Sequence, residues 1–283
     1  MNFPTSVVKG EIRVTPDRCL RLSVFEAEDS HSGVATVVFI PGFKGFKDWG
    51  GWPWFCSRIA AAGFRVISMN PTMCGVGPAL VEFDEPQNFA LQTLSHDLED
   101  LTALLNSSWI PAGNPLVLMG HSRGGIVAAL GSERIQEAQD VDLQGVVTLG
   151  TPHDLMRLEQ AEQDQWKELG YREIVNARTG EILKQDVSVL EDYLAHKEDY
   201  DPARALATDQ IPYLGVHGSA DPAVGAESLD RLFAGNSHPL SSREVIEGAG
   251  HTFGMVHPHQ GGHEHAERVI EIVSSWLGEV IQG

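Results

Sequence analysis

The chain has 283 residues, of which 42% are hydrophobic, so it can bury a full core without disulfides or a structural metal. Lysine and arginine number 20 and aspartate and glutamate 39, which gives a formal net charge of −19 at pH 7. Because phosphate backbones and anionic lipid surfaces repel such a charge, it argues against nucleic-acid binding and against docking on anionic membranes.

The first 150 residues alternate between predicted strands and predicted helices. Strands are predicted at residues 11–14, 19–26, 35–40, 64–69, 116–119 and 146–149. Helices are predicted at residues 52–62, 93–105 and from 123 to about 134. The run ATVVFI at 35–40 is continuously apolar, as expected for a strand that is buried on both faces. The alternation therefore predicts a parallel sheet with right-handed helical crossovers.

The pattern changes after Pro152. Residues 153–209 are polar and helix-leaning, with 14 acidic and 7 basic side chains and no strand of the buried type. Sheet-like patterning then resumes, with strands predicted at 211–216 and 244–246 and helices at 225–234 and 263–281. An insertion of this length needs structure of its own. We therefore expect residues 1–152 and 210–283 to form an α/β core and residues 153–209 to form a helical cap or lid.

A short glycine-rich motif follows one of the buried strands. The sequence GHSRGG at 120–125 contains G-x-S-x-G between the strand at 116–119 and the next helix. In this setting a sharp turn holds the serine, Ser122, at the carboxyl edge of the sheet, and small residues on both sides allow close backbone contact. The motif alone is weak, and the strand before it and the helix after it supply most of its specificity. Ser122 is the predicted nucleophile.

A serine nucleophile needs a base and an acid that orients the base. Asp221 comes just after the strand at 211–216, and His251 comes just after the strand at 244–246. The chain order is therefore serine, acid, histidine, with each residue at the same edge of the sheet. We predict that Asp221 and His251 complete a triad with Ser122. The alternatives are Asp154 and Asp201 for the acid and His217 and His257 for the base.

Backbone N–H groups are the expected donors to the oxyanion that forms during acyl transfer. Arg123, the residue after the nucleophile, supplies the first N–H. The loop PGFKG at 41–45 follows an earlier strand, and the N–H of Phe43 is its predicted donor, with the N–H of Lys44 as the neighbouring alternative. The cationic side chains of Lys44, Lys47 and Arg123 are also expected near this edge. They would favour a substrate that carries a carboxylate, although surface lysines are also ordinary.

Tryptophans and histidines near these loops have two interpretations each. Trp49, Trp52 and Trp54 either line an acyl pocket or pack in the core at the start of a helix. Five histidines lie within residues 251–265, and they either form a solvated loop or chelate a metal. Since no set of cysteines or carboxylates completes a standard ligand spacing, we expect no metal site.

Together these motifs resemble the α/β-hydrolase family over nearly the whole chain. The resemblance implies an α/β-hydrolase fold: a mostly parallel eight-stranded sheet flanked by helices, with a helical cap after the sixth strand. The segments GFKGFKDWG (42–50) and NARTG (176–180) are similar to a bacterial branch near serine aminopeptidase-like and esterase-like hydrolases. In that branch the oxyanion loop often begins with His-Gly, whereas Pro41 precedes Gly42 here. The departure is small, because the expected donor is a backbone N–H.

The resemblance implies acyl transfer to water without a metal or organic cofactor. Ser122 attacks a carbonyl, His251 takes its proton, and Asp221 orients His251. We expect a small-molecule substrate, a carboxylic ester with a small or medium acyl group. One alternative is an aminopeptidase-type or amidase-type serine peptidase, whose acidic cap would bind a free α-amine. The other is a binding protein that keeps the fold without catalysis.

The cysteines and the N-terminal residues bear on the cellular compartment. Cys19, Cys56 and Cys74 are an odd number at wide spacings and form neither a disulfide framework nor a CxxC pattern. The first ten residues, MNFPTSVVKG, lack the basic and apolar regions of a secretory signal. There is also no run of 18 apolar residues. We expect a cytoplasmic protein, and the sequence leaves the oligomeric state open.

Overall fold

The computed structural model describes residues 5–27, 34–137, 141–176, 179–208 and 210–282. Its strands are β1 (Thr5–Thr15), β2 (Arg18–Ala27), β3 (Thr36–Ile40), β4 (Arg65–Asn70), β5 (Leu116–His121), β6 (Leu143–Leu149), β7 (Tyr171–Val175), β8 (Ile182–Asp186), β9 (Tyr213–Gly218) and β10 (Ser242–Ile246). Its helices are α1 (Trp52–Ala61), α2 (Pro86–Ala90), α3 (Leu94–Leu105), α4 (Arg123–Glu137), α5 (Gln160–Leu169), α6 (Ser188–Ala195), α7 (Pro202–Leu206), α8 (Glu227–Phe233) and α9 (Glu264–Gln282).

Eight strands form one sheet in the order β1-β2-β4-β3-β5-β6-β9-β10. The first two strands pair antiparallel with each other, and β2 pairs antiparallel with β4. All other neighbours in this sheet are parallel. The mostly parallel eight-stranded sheet with flanking helices is the α/β-hydrolase fold, so the predicted fold class is confirmed.

The sheet is covered by helices on both faces. Helices α1 and α9 contribute Phe55, Trp52 and Trp276 to a core on one face. Helices α3 and α4 contribute Leu98 and Ile126 to a core on the other face. Strands β3 and β5 are buried along their whole length because both of their faces are covered, which explains their continuous apolar sequences.

The chain between β6 and β9 forms α5, the hairpin β7–β8, α6 and α7. The hairpin was not predicted: its strands are antiparallel, form a separate two-stranded sheet, and carry exposed as well as buried residues. A small sheet of this kind leaves no continuous apolar run in the sequence. Residues 177 and 178, which belong to the NARTG segment, lie outside the described residues. Among the helices that the structure describes, none is long and apolar enough to cross a membrane.

Candidate active site

Ser122 occupies the sharp turn between the end of β5 and the start of α4. Its φ angle is +53°, in the left-handed region that side-chain-bearing residues rarely adopt, which costs about 1–3 kcal/mol. The Ser122 N–H donates to the carbonyl of Leu149 on the neighbouring strand, over 2.8 Å. A Cβ placed on Gly124 would lie 2.1 Å from the carbonyl oxygen of Ile40, so only glycine fits there. The strained turn is therefore held by the packing of α4 against the sheet.

Asp221 and His251 lie in loops that follow the adjacent parallel strands β9 and β10. His251 Nδ1 is 2.7 Å from Asp221 Oδ2, and the Asp221 side chain is fully buried. The other carboxylate oxygen accepts from the backbone N–H groups of Ala223 and Val224, at 2.8 and 2.9 Å. Burial by itself would raise the pKa of Asp221. The hydrogen bonds from His251 and from the two N–H groups outweigh burial and hold that pKa below its ordinary value.

This hydrogen bond sets the tautomer of His251. An ionised carboxylate can only accept, so the Nδ1 atom of His251 carries the proton in the bond to Asp221. In the neutral ring, Nε2 is then left with a lone pair that can accept a proton. The His251 side chain is partly exposed, and it lines the same cavity as Ser122. His251 Nε2 can therefore act as a base in the cavity that Ser122 also lines.

A second histidine, His121, contacts His251 through its ring and through a hydrogen bond to the His251 backbone. His121 Nε2 is 2.9 Å from the carbonyl oxygen of His251, and since a carbonyl only accepts, His121 is the donor. Its ring centroid lies 4.7 Å from that of His251 and 4.8 Å from that of Trp52. Burial, followed by the nearby charge of His251, lowers the pKa of His121 to about 3. His121 is thus a neutral structural donor that fixes the loop carrying His251.

Two cavities meet at Ser122. The first has a volume of about 220 Å³ and is lined by Ser122, His251 and the aromatic side chains of Phe46, Trp49 and Trp52. The second has a volume of about 460 Å³ and lies between Ser122 and the segment that links β6 to β9. Phe43 and Ser122 border both cavities. A molecule whose reacting carbonyl lies at Ser122 can therefore extend in two directions.

The loop after β3 lies directly against the nucleophile turn. A Cβ placed on Gly42 would lie 2.9 Å from the Cβ of Ser122, so the loop approaches this turn as closely as a glycine allows. The loop turns tightly, because the Gly45 N–H donates to the Gly42 carbonyl over 2.9 Å. Phe43 lies inside this turn. Arg123 is the first residue of α4, where backbone N–H groups have no partner within the helix.

The comparisons with known proteins agree with this geometry. A model described as the alpha/beta hydrolase family matches residues 37–270. The chain belongs to the alpha/beta hydrolase family. The family predicted from the motifs is therefore confirmed. No curated protein matches the chain.

Several solved structures share the fold of this alpha/beta hydrolase at low sequence identity. Est1E from Butyrivibrio proteoclasticus, solved with ferulic acid bound, is 17% identical with a TM-score of 0.70, covering 97% of this chain and 100% of that one. Mouse alpha/beta hydrolase domain-containing protein 10 is 14% identical with a TM-score of 0.70, covering 96% and 99%. The esterase domain of a Rhodothermus marinus protein is 17% identical with a TM-score of 0.60, covering 98% and 99%. At these identities the likeness shows the fold.

The alternative acids and bases of this alpha/beta hydrolase have other contacts. Asp154 accepts from the Met156 N–H and the Tyr193 hydroxyl, and Asp201 accepts from the Arg204 N–H at the start of α7. His217 is buried, its Nε2 donates to the Val224 carbonyl over 2.9 Å, and the same nitrogen lies 3.5 Å from Asp221 Oδ2. His257 Nδ1 accepts from the Gly50 N–H, and its ring stacks on Trp49. None of the four lines either cavity at Ser122.

The lysines predicted near the catalytic edge occupy different environments. Lys44 lines the first cavity, where its Nζ lies 3.4 Å from the carbonyl of Val175. Burial lowers the pKa of Lys44. Lys47 is buried away from the cavities, and its Nζ donates to Ser23 and Asp48. The contacts of Lys47 therefore stabilise the fold. Lys44, in contrast, borders the site.

Some of the tryptophans and of the histidines in residues 251–265 line the first cavity, and others lie outside it. Trp49 and Trp52 line the first cavity while also packing on the core, whereas Trp54 stacks on His259 outside it. Within the residues that the structure describes, no three His, Cys, Asp or Glu side chains are grouped as metal ligands.

Sequence reasoning missed the residues that the inserted segment contributes to the second cavity. Arg172 and Trp166 come from the inserted segment, and Arg123 is paired with Asp97 of α3. No motif marks Arg172 or Trp166. The one indication in the sequence was the position of Arg123 next to the nucleophile, which placed a cation near the site.

Proposed function

We propose that this protein is a serine hydrolase that cleaves carboxylic esters through an acyl-enzyme intermediate. The observation that carries the proposal is the 2.7 Å hydrogen bond between His251 Nδ1 and the buried Asp221 carboxylate, with Ser122 and His251 lining one cavity. The strained backbone of Ser122 adds support, since strain of this kind persists where the surroundings enforce it.

In the proposed reaction, the Ser122 hydroxyl attacks the ester carbonyl while His251 Nε2 accepts its proton. Asp221 stabilises the imidazolium that forms. His251 then gives the proton to the leaving alcohol, and an acyl group remains bound to Ser122. A water molecule then attacks the acyl group while His251 Nε2 accepts its proton, and His251 returns that proton to the Ser122 oxygen as the bond to the acyl group breaks and the acid is released. Every step uses side chains of this chain, and none calls for a cofactor.

The N–H groups of Phe43 and Arg123 are the proposed donors to the oxyanion. Support comes from the position of Phe43 at the junction of the two cavities and of Arg123 at the first position of α4. An N–H at the start of a helix carries partial positive charge, which favours a developing oxyanion. Loss of one such donor typically costs about 100- to 1,000-fold in kcat.

We also propose that residues 153–209 act as a cap over the site. Leu155, Met156 and Trp166 of this segment line the second cavity together with Ser122 of the core. The cap would thus decide which acyl groups fit. Its acidic composition had suggested binding of an α-amine, but Arg157 and Arg172 also line the cavity, and cations there disfavour an amine. We therefore place esters ahead of aminopeptidase substrates.

The proposed compartment is the cytoplasm, because all three cysteines are free. Burial raises the pKa of the Cys56 thiol and raises that of Cys74 to about 12, so neither is a competing nucleophile at neutral pH.

The test compares the wild-type protein with Ser122→Ala. We expect the wild type to release 4-nitrophenol from 4-nitrophenyl acetate and butyrate and to react with a fluorophosphonate probe, and we expect Ser122→Ala to do neither. Ser108→Ala, which removes an exposed serine remote from both cavities, is the matched control and should behave as wild type. Equal turnover by wild type and Ser122→Ala would reject the proposal.

The ester and amide activities are separated with amino-acyl 4-nitroanilides. Ester cleavage without anilide cleavage supports the esterase, whereas efficient anilide cleavage that requires Ser122 would favour the peptidase. A wild-type protein that neither turns over esters nor reacts with the probe would leave the binding-protein interpretation standing.

A further inference from the structure

The second cavity combines an apolar wall with cationic groups. Its volume is about 460 Å³, and Leu94, Leu155 and Val189 provide apolar surface. Arg123 and Arg172 also line it. Arginine side chains are seldom fully buried, and buried charges are ordinarily paired. The contacts of these two guanidinium groups therefore show whether their positive charges are neutralised by carboxylates of the protein.

Arg123 has a paired donor on one side of its guanidinium group and an unpaired buried donor on the other. Its Nε donates to Asp97 Oδ2 over 2.7 Å, and both side chains are more than nine-tenths buried. The other Asp97 oxygen accepts from Gln92. Arg123 Nη2 is buried and, among the described residues, makes no hydrogen bond. An unpaired buried donor costs about 1–3 kcal/mol, so a ligand that accepts from Nη2 would recover that energy.

Arg172 has a neutral partner. Its guanidinium lies 4.1 Å from the centre of the Trp166 ring, and its Nε and Nη2 both donate to the amide oxygen of Gln185. An amide carries no charge, so these contacts orient the Arg172 guanidinium group without neutralising its positive charge. Burial, followed by the positive charge of Arg123, lowers the pKa of Arg172 to about 10. Arg172 therefore stays protonated at neutral pH, with a second cation close enough to repel it.

The carboxylates that line the cavity are fewer than the arginines. Asp192, the one acidic residue among those lining the cavity in the described part of the chain, accepts from Ser95 and from Tyr200. The charge of Glu162 raises the pKa of Arg172, and the Glu162 carboxylate also accepts from the Glu159 N–H. The hydroxyl donors to Asp192 are neutral, so its negative charge remains. Among the described residues that line the cavity, however, there are three arginines, Arg123, Arg157 and Arg172, and Asp97 offsets only the charge of Arg123. The cavity therefore keeps an excess of positive charge and an unused donor on Arg123.

We propose that the second cavity binds a carboxylate at the far end of the acyl group, so that the substrates are monoesters of dicarboxylic acids. This inference rests on the proposed esterase function. Planar guanidinium groups fit a carboxylate through paired N–H donors, and the apolar wall fits the methylene chain between the two carboxyl groups.

The assignment of this cavity to the acyl group follows from the position of the base. His251 must protonate the leaving alcohol, and it lines the first cavity but not the second. The alcohol therefore departs through the first, aromatic cavity. The acyl chain extends from Ser122 into the second, towards Arg123 and Arg172.

The first experiment measures kcat/KM for two substrates that differ by one charge: the 4-nitrophenyl monoester of adipic acid and the same compound with its free carboxyl methylated. Hydrogen bonds to a charged group contribute about 1.5–3 kcal/mol, which corresponds to about 10- to 100-fold. We expect the wild type to prefer the free carboxylate by a factor in this range. Equal kcat/KM for the two substrates would overturn the inference.

Variants of Arg172 test whether the preference comes from this cavity. In Arg172→Gln we expect the ratio of the two kcat/KM values to fall at least tenfold, and in Arg172→Lys to fall less. Lys167→Gln removes an exposed positive charge from the same segment without touching the cavity, so it should keep the wild-type ratio. A ratio that is unchanged in Arg172→Gln would refute the role of the cavity.

A binding measurement separates failure of this inference from failure of the proposed function. Calorimetry with the Ser122→Ala protein compares monomethyl adipate with dimethyl adipate, and it needs no turnover. Tighter binding of the monomethyl ester, weakened by adding Arg172→Gln but not Lys167→Gln, supports the carboxylate subsite whether or not the wild type is active. Equal affinities would reject the subsite, even for an active esterase.

Discussion

Replacing His121 with glutamine should reduce the dependence of folding stability on pH. In the folded protein His121 is buried and donates from Nε2 to the carbonyl of His251, and burial lowers its pKa to about 3. In the unfolded chain a histidine has a pKa of about 6.5. Between these two values the unfolded state binds a proton that the folded state excludes. The stabilisation from the neutral ring is thus complete above about pH 6.5 and decreases as the pH falls towards 3.

The size of the effect follows from this difference of one proton. Stability changes by about 1.4 kcal/mol per pH unit for each proton bound by only one of the two states. From pH 5.5 to pH 4.5, wild type should therefore lose about 1.4 kcal/mol more than His121→Gln. Glutamine can still donate to the His251 carbonyl but has no titrating group in this range. It also loses ring contacts with Trp52 and His251, which lowers stability by an amount that does not depend on pH.

The assay is urea-induced unfolding followed by tryptophan fluorescence at several pH values between 4.5 and 7. The quantity compared is the slope of the unfolding free energy against pH, so a constant loss of packing energy does not affect the result. Other histidines contribute equally to both proteins and cancel in the difference. Parallel slopes for wild type and variant would show that His121 is not held neutral by the fold.

Two further predictions concern the charged residues around Ser122. Asp221→Asn should lower kcat for 4-nitrophenyl butyrate by about 10,000-fold, because it no longer holds the required tautomer of His251 or stabilises the imidazolium; a loss below tenfold would contradict the assigned role. Arg123→Met should destabilise the fold by about 3–5 kcal/mol, since it leaves Asp97 buried without its cation, and adding Asp97→Leu should restore much of the loss in urea unfolding. If the two single losses simply add in the double variant, the buried pair is not coupled.

The sequence by itself determined the alternation of strands and helices and the place of the reactive residues along it. Ser122, Asp221 and His251 each follow a strand that belongs to the parallel part of the sheet. Such strands place the residues at their carboxyl ends on one edge. Once strands are recognised from apolar runs, this rule brings distant segments together without knowledge of any side-chain contact. The roles of the three residues remain proposals that the Ser122 and Asp221 variants test.

The hairpin in the inserted segment could not be predicted, because its local sequence lacks the apolar pattern that marks a buried strand. The hairpin β7–β8 forms a separate sheet of two strands with exposed positions, so its residues show no continuous apolar run. Its strands are stabilised by contacts such as Trp166 with Arg172 and Arg172 with Gln185. These contacts form only when the segment folds back on itself. No short sequence motif therefore predicts them.

Only the tertiary structure decided the chemistry of the second cavity. Arg123 was expected near the catalytic edge, but its pairing with Asp97 joins residues from two helices on one face of the sheet. Arg172 reaches the same cavity from the inserted segment. The electrostatic state of a guanidinium depends on which groups surround it after packing, and that information is not present in the local sequence. The position of the nucleophile and a cation beside it could therefore be predicted, whereas a carboxylate at the far end of the acyl group could be proposed only from the assembled walls of the second cavity.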